Sequence, residues 1–372
     1  MTKRLICFHL YNDFSGSPKV LAPVLRELAA RGWEIDLYTS RGGVLDSLSD
    51  CGVRLHHYPY CYSDNAVVTL LRYVLVQLWT FLLAWRYLFC RGVVFYINTL
   101  LPVGPALAGR LMGKRVVYHY HENAFVKGGF YRMLSRVMQR LAHRIISVSG
   151  YQCGFLQRQE KCTVVPNALP AEFVEHFAQT PPRSRADGAV LMVGSLKVYK
   201  GTCEFVQLAG MLPEQRFVLV INDELPAIDA FWREQGIELP SNLTVYPRQS
   251  DVKPFYEQPS VVLNLSNPRL FIETFGMTAL EAMTAGLPVI VPPVGGIAEM
   301  VELGVTGYHA DVQQLDTIAE HLRNLFEDSA AYARMSAAAK CAATQYSLQH
   351  QVDKVETILR MKDEIMYSNP KK

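Results

Sequence analysis

The sequence predicts an α/β fold with two doubly wound parallel sheets, and three observations support this prediction. Short apolar, β-branched runs alternate with helical segments along most of the chain, which is the pattern of βαβ units. The 372 residues exceed what one small hydrophobic core needs and suit two domains. Half of the residues are hydrophobic and 19% are charged, a balance typical of globular proteins rather than disordered ones.

The first half of the chain contains seven predicted strands, and a helix is predicted over residues 18–30. The strands are residues 5–10, 34–38, 53–58, 93–97, 116–120, 144–148 and 163–165. Gly16 lies in the loop between the first strand and this helix, where a glycine lets the backbone come close to a ligand. We expect Gly16 to belong to a ligand-binding site, in a turn that faces a phosphate group or an acceptor; a plain strand-to-helix turn is the alternative.

Residues 66–90 form a long apolar stretch. Its length suffices for a membrane span, but two arginines and a glutamine interrupt it. At about 100° per residue its polar side chains fall within roughly half of a helical wheel, which predicts an amphipathic helix. Two interpretations stay open. Either the helix packs on the sheet, or it seats the protein on a membrane surface through Trp79, Trp85, Arg72 and Arg86.

The second half of the chain contains five predicted strands followed by a helix-rich end. The strands are residues 189–193, 217–221, 243–246, 261–265 and 288–291. The proline-rich, charged segment 180–188 is interpreted as a linker. We therefore predict an N-terminal domain over residues 1–175 and a C-terminal domain over residues 176–345.

The stretch from residue 261 to residue 296 is the most informative part of the sequence. A buried strand is followed by a loop, a helix over 276–285 and another buried strand. This order places the helix N-terminus at the carboxyl edge of a parallel sheet, where ligands of α/β folds bind. The unpaired amides of such a helix start favour an anion. Here they belong to Phe275, Gly276, Met277 and Thr278.

Two glutamates flank this helix start. Glu273 lies in the preceding loop, and Glu281 lies one to two turns into the helix. An ionised carboxylate accepts two hydroxyl groups at once, so each glutamate suits a polyol. A diphosphate at the amides, with a hydroxyl-bearing group on each side, describes a nucleoside-diphosphate sugar. Two solvated glutamates on an ordinary surface helix are the alternative.

Positive charges are predicted at the same edge of the sheet. The strand at 189–193 is followed by Lys197 and Lys200, and we expect both lysines to neutralise the donor diphosphate. Arg269 precedes Glu273 in the loop and is a further candidate for a contact with phosphate or sugar.

The motif E-T-F-G-M-T-A-L-E-A-M-x-x-G-L-P-V-I starts at Glu273, and G-G-I-A-E-M-V follows at Gly295. This order resembles the nucleotide-sugar site of retaining glycosyltransferase family 4. The resemblance implies a GT-B fold, in which two Rossmann-like domains face each other across a cleft. It also implies that a C-terminal helix, here 346–372, returns to the first domain. By the same resemblance, Glu273 contacts the donor sugar and Glu281 contacts the ribose.

Two further positions are interpreted through this resemblance. The strand at 116–120 is followed by His-Glu, and the resemblance implies that His121 contacts the donor sugar near the reacting centre; a structural histidine is the alternative. Family members carry an arginine and a lysine after the strand that corresponds to 189–193. Lys200 matches the lysine, but Ser195 stands at the arginine position. Lys197 supplies a charge there, although an ammonium cannot form the bidentate fork of a guanidinium.

Composition argues against several other classes of protein. The net charge of +3 is too small to indicate nucleic-acid binding. The eight cysteines form no C-x-x-C pair, so neither a disulfide framework nor a zinc site is predicted. No D-x-D pattern follows a strand, and we expect neither a metal nor a cofactor beside the sugar-nucleotide co-substrate. Because no signal peptide is recognised, we expect a cytoplasmic protein, with a peripheral position on the inner face of the cytoplasmic membrane as an open possibility.

Together these observations predict a retaining, metal-independent glycosyltransferase with His121, Glu273 and Lys200 in its catalytic site. It would move a sugar from a nucleoside-diphosphate donor to a glycan or lipid-linked acceptor, in the synthesis of cell-surface polysaccharide or lipopolysaccharide. Three alternatives remain. They are a sugar-nucleotide epimerase on the same fold, a phosphorylase on the same fold, and a non-catalytic subunit that binds a sugar nucleotide.

Overall fold

The computed structural model describes residues 3–361, and the chain divides into two compact units. Of the described residues, unit 1 contains those up to Ser147, the segment Cys153–Val165 and those from Gln349 to Met361. Unit 2 contains Val148–Gln152 and Pro166–Leu348. Each unit is built around one parallel sheet with helices between successive strands. The predicted α/β fold with two Rossmann-like units is therefore confirmed.

Unit 1 contains a seven-stranded parallel sheet. Its elements are β1 (Arg4–His9), α1 (Gly16–Ala30), β2 (Glu34–Thr39), β3 (Arg54–His57), α2 (Ala66–Ala84), β4 (Val93–Asn98), α3 (Val103–Leu111), β5 (Arg115–Tyr120), α4 (Gly129–Leu141), β6 (Arg144–Ser147), α5 (Gly150–Gly154), which runs across the boundary with unit 2, and β7 (Cys162–Val164). The strand order is β3-β2-β1-β4-β5-β6-β7. The direction of winding reverses between β1 and β4, which makes their carboxyl ends the place where a ligand of such a sheet binds.

Unit 2 contains a six-stranded parallel sheet. Its elements are α6 (Ala171–Ala178), β8 (Val190–Gly194), α7 (Thr202–Met211), β9 (Phe217–Ile221), α8 (Leu225–Gln235), β10 (Leu243–Tyr246), α9 (Lys253–Glu257), β11 (Val261–Leu263), α10 (Met277–Thr284), β12 (Val289–Val291), α11 (Gly296–Met300), β13 (Gly307–His309), α12 (Leu315–Glu327) and α13 (Ser329–Ala343). The strand order is β10-β9-β8-β11-β12-β13, so the winding reverses between β8 and β11.

Buried apolar runs explain why these strands form. The strand β4 is fully buried, and β11 and β12 are three-residue runs of valine, isoleucine and leucine with both faces covered, as is typical of parallel strands. All twelve predicted strands are present, each within two residues of its predicted ends. The short edge strand β13 was not predicted, because three residues that follow a turn carry too little pattern.

The chain enters unit 2 earlier than the predicted domain boundary at residue 175. It crosses at Val165–Pro166, because the helix α6 packs Phe173 and Phe177 into the core of unit 2, where the Phe173 ring lies 5.7 Å from that of Tyr256. The segment 180–188 also packs on unit 2 rather than forming a linker. The guanidinium of Arg183 in this segment donates to the carbonyl oxygen of Tyr256 at 3.1 Å.

The helix α14 (Leu348–Arg360) returns to unit 1, as predicted. It is attached through Glu356, whose carboxylate accepts hydrogen bonds from Trp33 Nε1 at 2.9 Å and from Arg31 at 3.0 Å. The rest of the predicted segment 346–372, from residue 362 onward, lies outside the described residues.

Candidate functional site

Lys200 and Glu273 form an ion pair at the carboxyl edge of the unit 2 sheet. Lys200 Nζ lies 2.5 Å from Glu273 Oε1, and Ser266 Oγ donates a hydrogen bond to the same oxygen at 2.9 Å. Lys200 follows β8 and Glu273 follows β11, and these neighbouring strands flank the point where the winding of the sheet reverses. The pair therefore lies where ligands of open α/β sheets bind.

Glycine is required at two positions that hold this ion pair in place. A Cβ atom on Gly201 would lie 2.2 Å from the carbonyl oxygen of Leu265, and one on Gly296 would lie 1.9 Å from that of Thr274. The amide of Gly296 also donates to the carbonyl oxygen of Glu273 at 2.9 Å. The loops that carry Lys200 and Glu273 thus approach neighbouring backbone more closely than any side chain permits.

The Glu273 carboxyl is ionised in this environment. Burial raises its pKa, but the charge of Lys200 and hydrogen bonds from Lys200, Ser266 and Asn264 outweigh burial and hold the pKa below its ordinary value of 4.5. The two paired side chains are only 25% and 13% exposed, so water screens their attraction less than it screens a surface pair. A carboxylate retains further lone pairs, so Glu273 can also accept a hydroxyl group from a ligand.

An aromatic pair supports the lysines at this edge. The rings of Tyr199 and Phe271 are stacked 4.8 Å apart, and Lys200 Nζ lies 4.6 Å from the centre of the Phe271 ring. The exposed Lys197 lies 5.9 Å from the centre of the Tyr199 ring. Ser195, at the expected arginine position, contributes a carbonyl oxygen that accepts from the Thr202 hydroxyl at 3.0 Å. Residues 195–200 therefore present two cations on one aromatic surface.

The start of the helix α10 lies beside the ion pair. The side chain of Asn264 lies 3.5 Å from Thr278 Oγ1, in the first turn of α10, and also hydrogen-bonds to Glu273. Gly276 precedes the helix with a φ of 96°, and Phe275 is buried beneath it. The amide groups of Met277 and Thr278 belong to the first helical turn, whose N–H groups have no acceptor within the helix.

Glu281 is held by a tyrosine that the sequence did not indicate. The Tyr256 hydroxyl donates to Glu281 Oε2 at 2.5 Å, and Tyr256 is fully buried. Burial, together with the neighbouring carboxylate, raises the pKa of Tyr256 well above 10, so the phenol keeps its proton and acts as the donor. Glu281 itself is half-buried, so its position is fixed from the interior side while part of it stays accessible to a ligand.

Arg269 is engaged by a neighbouring loop. Its guanidinium hydrogen-bonds to Gln313 and lies 3.9 Å from Asp311 Oδ2, and two thirds of the side chain is exposed. A contact between Arg269 and a donor remains a prediction.

In unit 1, His121 belongs to a chain of hydrogen bonds at the carboxyl ends of β1, β4 and β5. His121 Nε2 lies 3.0 Å from Asn98 Oδ1, and Asn98 Nδ2 lies 2.9 Å from His9 Nδ1. His9 Nε2 lies 2.8 Å from the carbonyl oxygen of Tyr11. His9 and Asn98 are paired residues of adjacent strands, so the sheet register brings them together.

The Tyr11 carbonyl sets the tautomer of each ring along this chain. A carbonyl oxygen only accepts, so His9 must carry its proton on Nε2, and the neutral ring then accepts at Nδ1. Asn98 therefore presents its amide nitrogen to His9 and its oxygen to His121. His121 must then donate from Nε2, which makes Nδ1 the acceptor atom of its neutral ring.

Burial keeps both imidazoles neutral. Burial lowers the pKa of His9 to about 4. The pKa of His121 is lowered well below 6.5, mainly by burial and to a smaller extent by the nearby rings of His119 and His9. The rings of His119 and His121 lie 4.1 Å apart, so both side chains are on the same side of the sheet.

The turn after β4 stores backbone strain next to His121. Thr99 has a φ of 75°, and no other non-glycine residue in the described part of the chain has a positive φ. Such a conformation is unfavourable for a β-branched residue. The Glu122 carboxylate holds this turn by accepting from the Leu100 amide at 3.1 Å, and burial raises the pKa of Glu122. Glu122 thus has a structural role here.

Gly16 is the first residue of α1 in unit 1. A Cβ atom built on Gly16 would have no described atom within 4 Å, apart from its two chain neighbours and the adjacent backbone of α1. The protein itself therefore does not require glycine at this position, and its contact with a donor remains a prediction.

Comparison with known proteins defines the class. The family model described as "Glycosyl transferases group 1" matches residues 175–341, and the one described as "Glycosyl transferase 4-like domain" matches residues 15–168. Together they span most of the chain. The protein belongs to this family of glycosyltransferases, which confirms the resemblance drawn from the motif at Glu273.

Sucrose synthases are among the curated relatives with local similarity. Sucrose synthase 1 of Hordeum vulgare is 49% identical over 61 residues, which are 16% of this chain and 8% of that protein. Sucrose synthase isoform 1 of Daucus carota is 34% identical over 155 residues, 42% of this chain and 17% of that protein. The chain thus matches less than a fifth of the length of either relative.

Solved structures resemble the whole chain. The structure of Anabaena Alr3699/HepE in complex with UDP and glucose has a TM-score of 0.75 at 18% identity, covering 97% of this chain and all of that one. WaaG, a glycosyltransferase involved in lipopolysaccharide biosynthesis, has a TM-score of 0.69 at 19% identity, covering 96% of this chain and all of that one. At these identities the similarity shows the fold, which is GT-B, as predicted.

Proposed function

We propose that the protein is a retaining, metal-independent glycosyltransferase that uses a nucleoside-diphosphate sugar as donor. The observation that carries this proposal is the Lys200–Glu273 pair, which lies beside the first turn of α10 at the switch point of the unit 2 sheet. A cation, helix-start amides and a carboxylate together match a diphosphate that is attached to a polyol. The complexes of Anabaena Alr3699/HepE with UDP and with UDP-glucose suggest UDP-glucose as the first donor to test.

The leaving group is the part of the donor that most needs stabilisation. As the glycosidic bond breaks, negative charge grows on the β-phosphate of the nucleoside diphosphate. Lys200, Lys197 and the amides of Met277 and Thr278 would stabilise this charge through electrostatic contacts that are in place before the reaction. These groups supply positive charge from the protein itself, which is why we propose a reaction without a metal.

The carboxylates would orient the two ends of the donor. Glu273 would accept hydroxyl groups of the sugar while Lys200 bridges Glu273 and the phosphate. Glu281, held by Tyr256, would accept the ribose hydroxyls. His121 would accept a sugar hydroxyl at Nδ1, because its Nε2 proton is committed to Asn98. We propose attack on the same face as the departing phosphate, which keeps the anomeric configuration.

The acceptor is proposed to be a glycan or a lipid-linked sugar of the cell surface. The protein would then act in the cytoplasm, at the inner face of the membrane. Likeness to WaaG, a glycosyltransferase involved in lipopolysaccharide biosynthesis, supports this acceptor class by fold alone.

The test is to incubate the protein with a panel of sugar nucleotides, with and without a lipid-linked glycan extract, and to follow nucleoside diphosphate release. We expect release that depends on the acceptor, unchanged rates in a chelator, and a product whose anomeric configuration by NMR equals that of the donor. Inversion, or loss of activity in the chelator, would overturn those parts of the proposal. Conversion of the donor alone would indicate an epimerase, phosphate-dependent cleavage a phosphorylase, and binding without turnover a non-catalytic subunit.

A further inference from the structure

The helix α2 has its polar side turned toward the protein. The Tyr73 hydroxyl donates to the carbonyl oxygen of Leu101 at 2.9 Å, and Gln77 Oε1 accepts from the Gly104 amide at 2.8 Å. Thr80 is buried on the same side. Val76 and Ala84 on this inner side belong to the core of unit 1, so the helix packs on the unit through its more polar side and not through its apolar side. The inner side is needed for hydrogen bonds to the chain around the start of α3.

The apolar side of α2 faces outward. Six large side chains along it are 53–69% exposed: Leu70, Leu71, Leu75, Leu78, Trp79 and Leu82. Within residues 3–361, the helical stretch Ala66–Tyr87 alone is long and apolar enough to span a membrane by length and composition, and only 11% of its most apolar window is buried. A contiguous apolar surface of this kind on a globular protein marks a binding surface.

This apolar surface continues across a layer of three helices. The connections that lead from β3 to β4, β5 and β6 all run in the same direction along the sheet, so right-handed crossovers place α2, α3 and α4 on one face. Exposed Leu107 and Leu111 continue the surface on α3. On α4 the exposed Phe130 continues it, and the rings of Phe130 and Tyr73 lie 6.0 Å apart.

The same layer carries a strong positive charge. The helices α2, α3 and α4 contain five arginines and neither an aspartate nor a glutamate. Arg132, Arg136 and Arg140 lie four residues apart on α4, exposed, and in the described part of the chain none of them forms an ion pair. A stripe of unpaired arginines needs an anionic partner.

Two of these arginines line a cavity. Arg136 and Arg140 surround it together with Arg158, and its volume is about 340 Å³. The polar groups of Gln139 and Gln157 complete the lining. Nearby, burial and then the charges of Arg158 and Arg110 lower the pKa of Lys161, which shows how closely the cations are gathered. Guanidinium groups around a cavity of this size suit a phosphate group.

We propose that α2, α3 and α4 form a docking surface for an anionic lipid bilayer. The helix α2 lies in the interface, with Leu75, Leu78 and Trp79 among the acyl chains, and the α4 arginines bind headgroup phosphates. The inner hydrogen bonds of α2 hold it against α3, so it lies on the membrane rather than crossing it. This docking does not depend on the proposed sugar transfer.

Charge favours a bilayer over a second copy of the chain. A symmetric dimer through this surface would bring the same patch of both copies together, and the α4 arginines would then face each other without compensation. A membrane of anionic lipids satisfies both the apolar side of α2 and the arginines of α4 with one partner.

Vesicle co-sedimentation tests the proposal. We expect the full chain to bind phosphatidylglycerol-containing vesicles and to bind pure phosphatidylcholine vesicles at least about tenfold more weakly, with binding that falls as salt is raised. Leu75→Glu with Leu78→Glu should reduce binding at least about tenfold. Arg136→Gln with Arg140→Gln should reduce binding about tenfold and flatten the salt dependence. Leu225 and Leu239 are exposed leucines of unit 2, so their substitution by glutamate is the matched control and should leave binding unchanged.

Tryptophan quenching tests how deeply α2 lies in the bilayer. Trp33 and Trp232 are buried, whereas Trp79 and Trp85 are exposed, so vesicle-induced changes report on α2. Lipids brominated near the headgroup should quench more strongly than lipids brominated near the chain end, and Trp79→Phe should remove most of this quenching. Equal quenching at both depths would indicate a membrane span instead.

Other outcomes would overturn the proposal. They are no vesicle binding, binding that does not depend on lipid charge, or a dimer in light scattering that Leu75→Glu with Leu78→Glu abolishes while vesicles have no effect. UDP binding measured by calorimetry on the same variants keeps this test separate from the proposed function. A variant that no longer binds vesicles but binds UDP normally supports the docking surface, even if the proposed sugar transfer proves wrong.

Discussion

Asn98 fixes the tautomer of His121 through a hydrogen bond of 3.0 Å between Asn98 Oδ1 and His121 Nε2. The orientation of the Asn98 amide is in turn dictated by His9, which lies 2.9 Å away and is itself fixed by a backbone carbonyl. Nδ1 of the neutral His121 ring is therefore the unprotonated nitrogen, and it is the atom that we propose to accept from the donor sugar. Asn98 is in this sense a positioning residue for the proposed donor site.

Replacement of Asn98 by aspartate tests this arrangement. A carboxylate next to His121 stabilises its protonated form and raises its pKa from a value well below 6.5. Protonation removes the acceptor at Nδ1, so activity should be lost as pH falls through the new pKa and recover as pH rises. We expect kcat/KM of Asn98→Asp to be at least about tenfold below that of the unchanged protein near pH 6. The difference should narrow above about pH 8.

The kcat/KM of the unchanged protein should not fall with decreasing pH above about pH 6, because His121 stays neutral there. Asn324→Asp, on the exposed side of α12, is the control and should behave as the unchanged protein. If Asn98→Asp lost activity equally at all pH values, the tautomer argument would be wrong and Asn98 would have only a structural role.

The Lys200–Glu273 pair predicts a second pH effect, with a different cause. Lys200 is the main force that holds the Glu273 pKa below 4.5 against burial. In Lys200→Met only the hydrogen bonds from Ser266 and Asn264 still oppose burial, so the pKa of Glu273 rises and the acid limb of the pH–rate profile moves toward neutral pH. We also expect turnover to fall more than about tenfold in Lys200→Met and in Glu273→Gln.

Because the two residues act as a unit, their effects should not add. The double variant should be little slower than the slower single variant. Lys354→Met, on α14 of unit 1, removes a lysine outside the proposed site and should leave the profile unchanged. Full additivity, or near-normal turnover in either single variant, would contradict the assignment.

Much of this site could be predicted because its signals are local in sequence. The strand, loop and helix around Glu273 are contiguous, and Lys200 directly follows a strand, so spacing alone places them at one edge of a sheet. The double glycine at Gly295 can also be recognised from the local sequence. Only the fold shows why glycine is needed there, which is the close approach to the backbone of Glu273 and Thr274.

The residues that were missed depend on strand order. Asn98 and His9 are far apart in sequence, and only the order β1-β4-β5 brings them beside His121. Tyr256 reaches Glu281 from a short helix that carries no motif. The orientation of α2 could not be predicted from periodicity, because a helical wheel separates two sides without saying which of them faces the protein.

The returning helix α14 predicts a loss of stability in acid. Hydrogen bonds from Trp33, Arg31, Arg360 and Lys3 outweigh burial and hold the pKa of Glu356 at about 2, below its ordinary value of 4.5. A depressed pKa contributes stability that is fully present above about pH 4.5 and is lost as pH falls toward 2. Glu356→Gln should lower the free energy of unfolding by about 1–3 kcal/mol at pH 7.

The measurement is thermal unfolding of both proteins across pH. The difference in Tm between Glu356→Gln and the unchanged protein should shrink as pH falls from about 4.5 toward 2. Asp353→Asn is a suitable control, since Asp353 pairs with Arg31 from a position that is 54% exposed and should matter less. A Tm difference that is constant with pH would show that the Glu356 charge is not the source.

Two buried tyrosines of unit 2 separate the binding role of Glu281 from general stability. Tyr256 donates to Glu281 at 2.5 Å, whereas Tyr332 donates to the carbonyl oxygen of Ser260 at 2.8 Å. Each tyrosine-to-phenylalanine change removes one buried hydrogen bond, so both should lower the free energy of unfolding by about 1–3 kcal/mol. Only Tyr256→Phe releases the carboxylate that we assign to the ribose. We expect Tyr256→Phe to raise the Kd for UDP about fivefold or more, measured by calorimetry, while Tyr332→Phe leaves it unchanged. Equal Kd values in both variants would remove Glu281 from the nucleotide site.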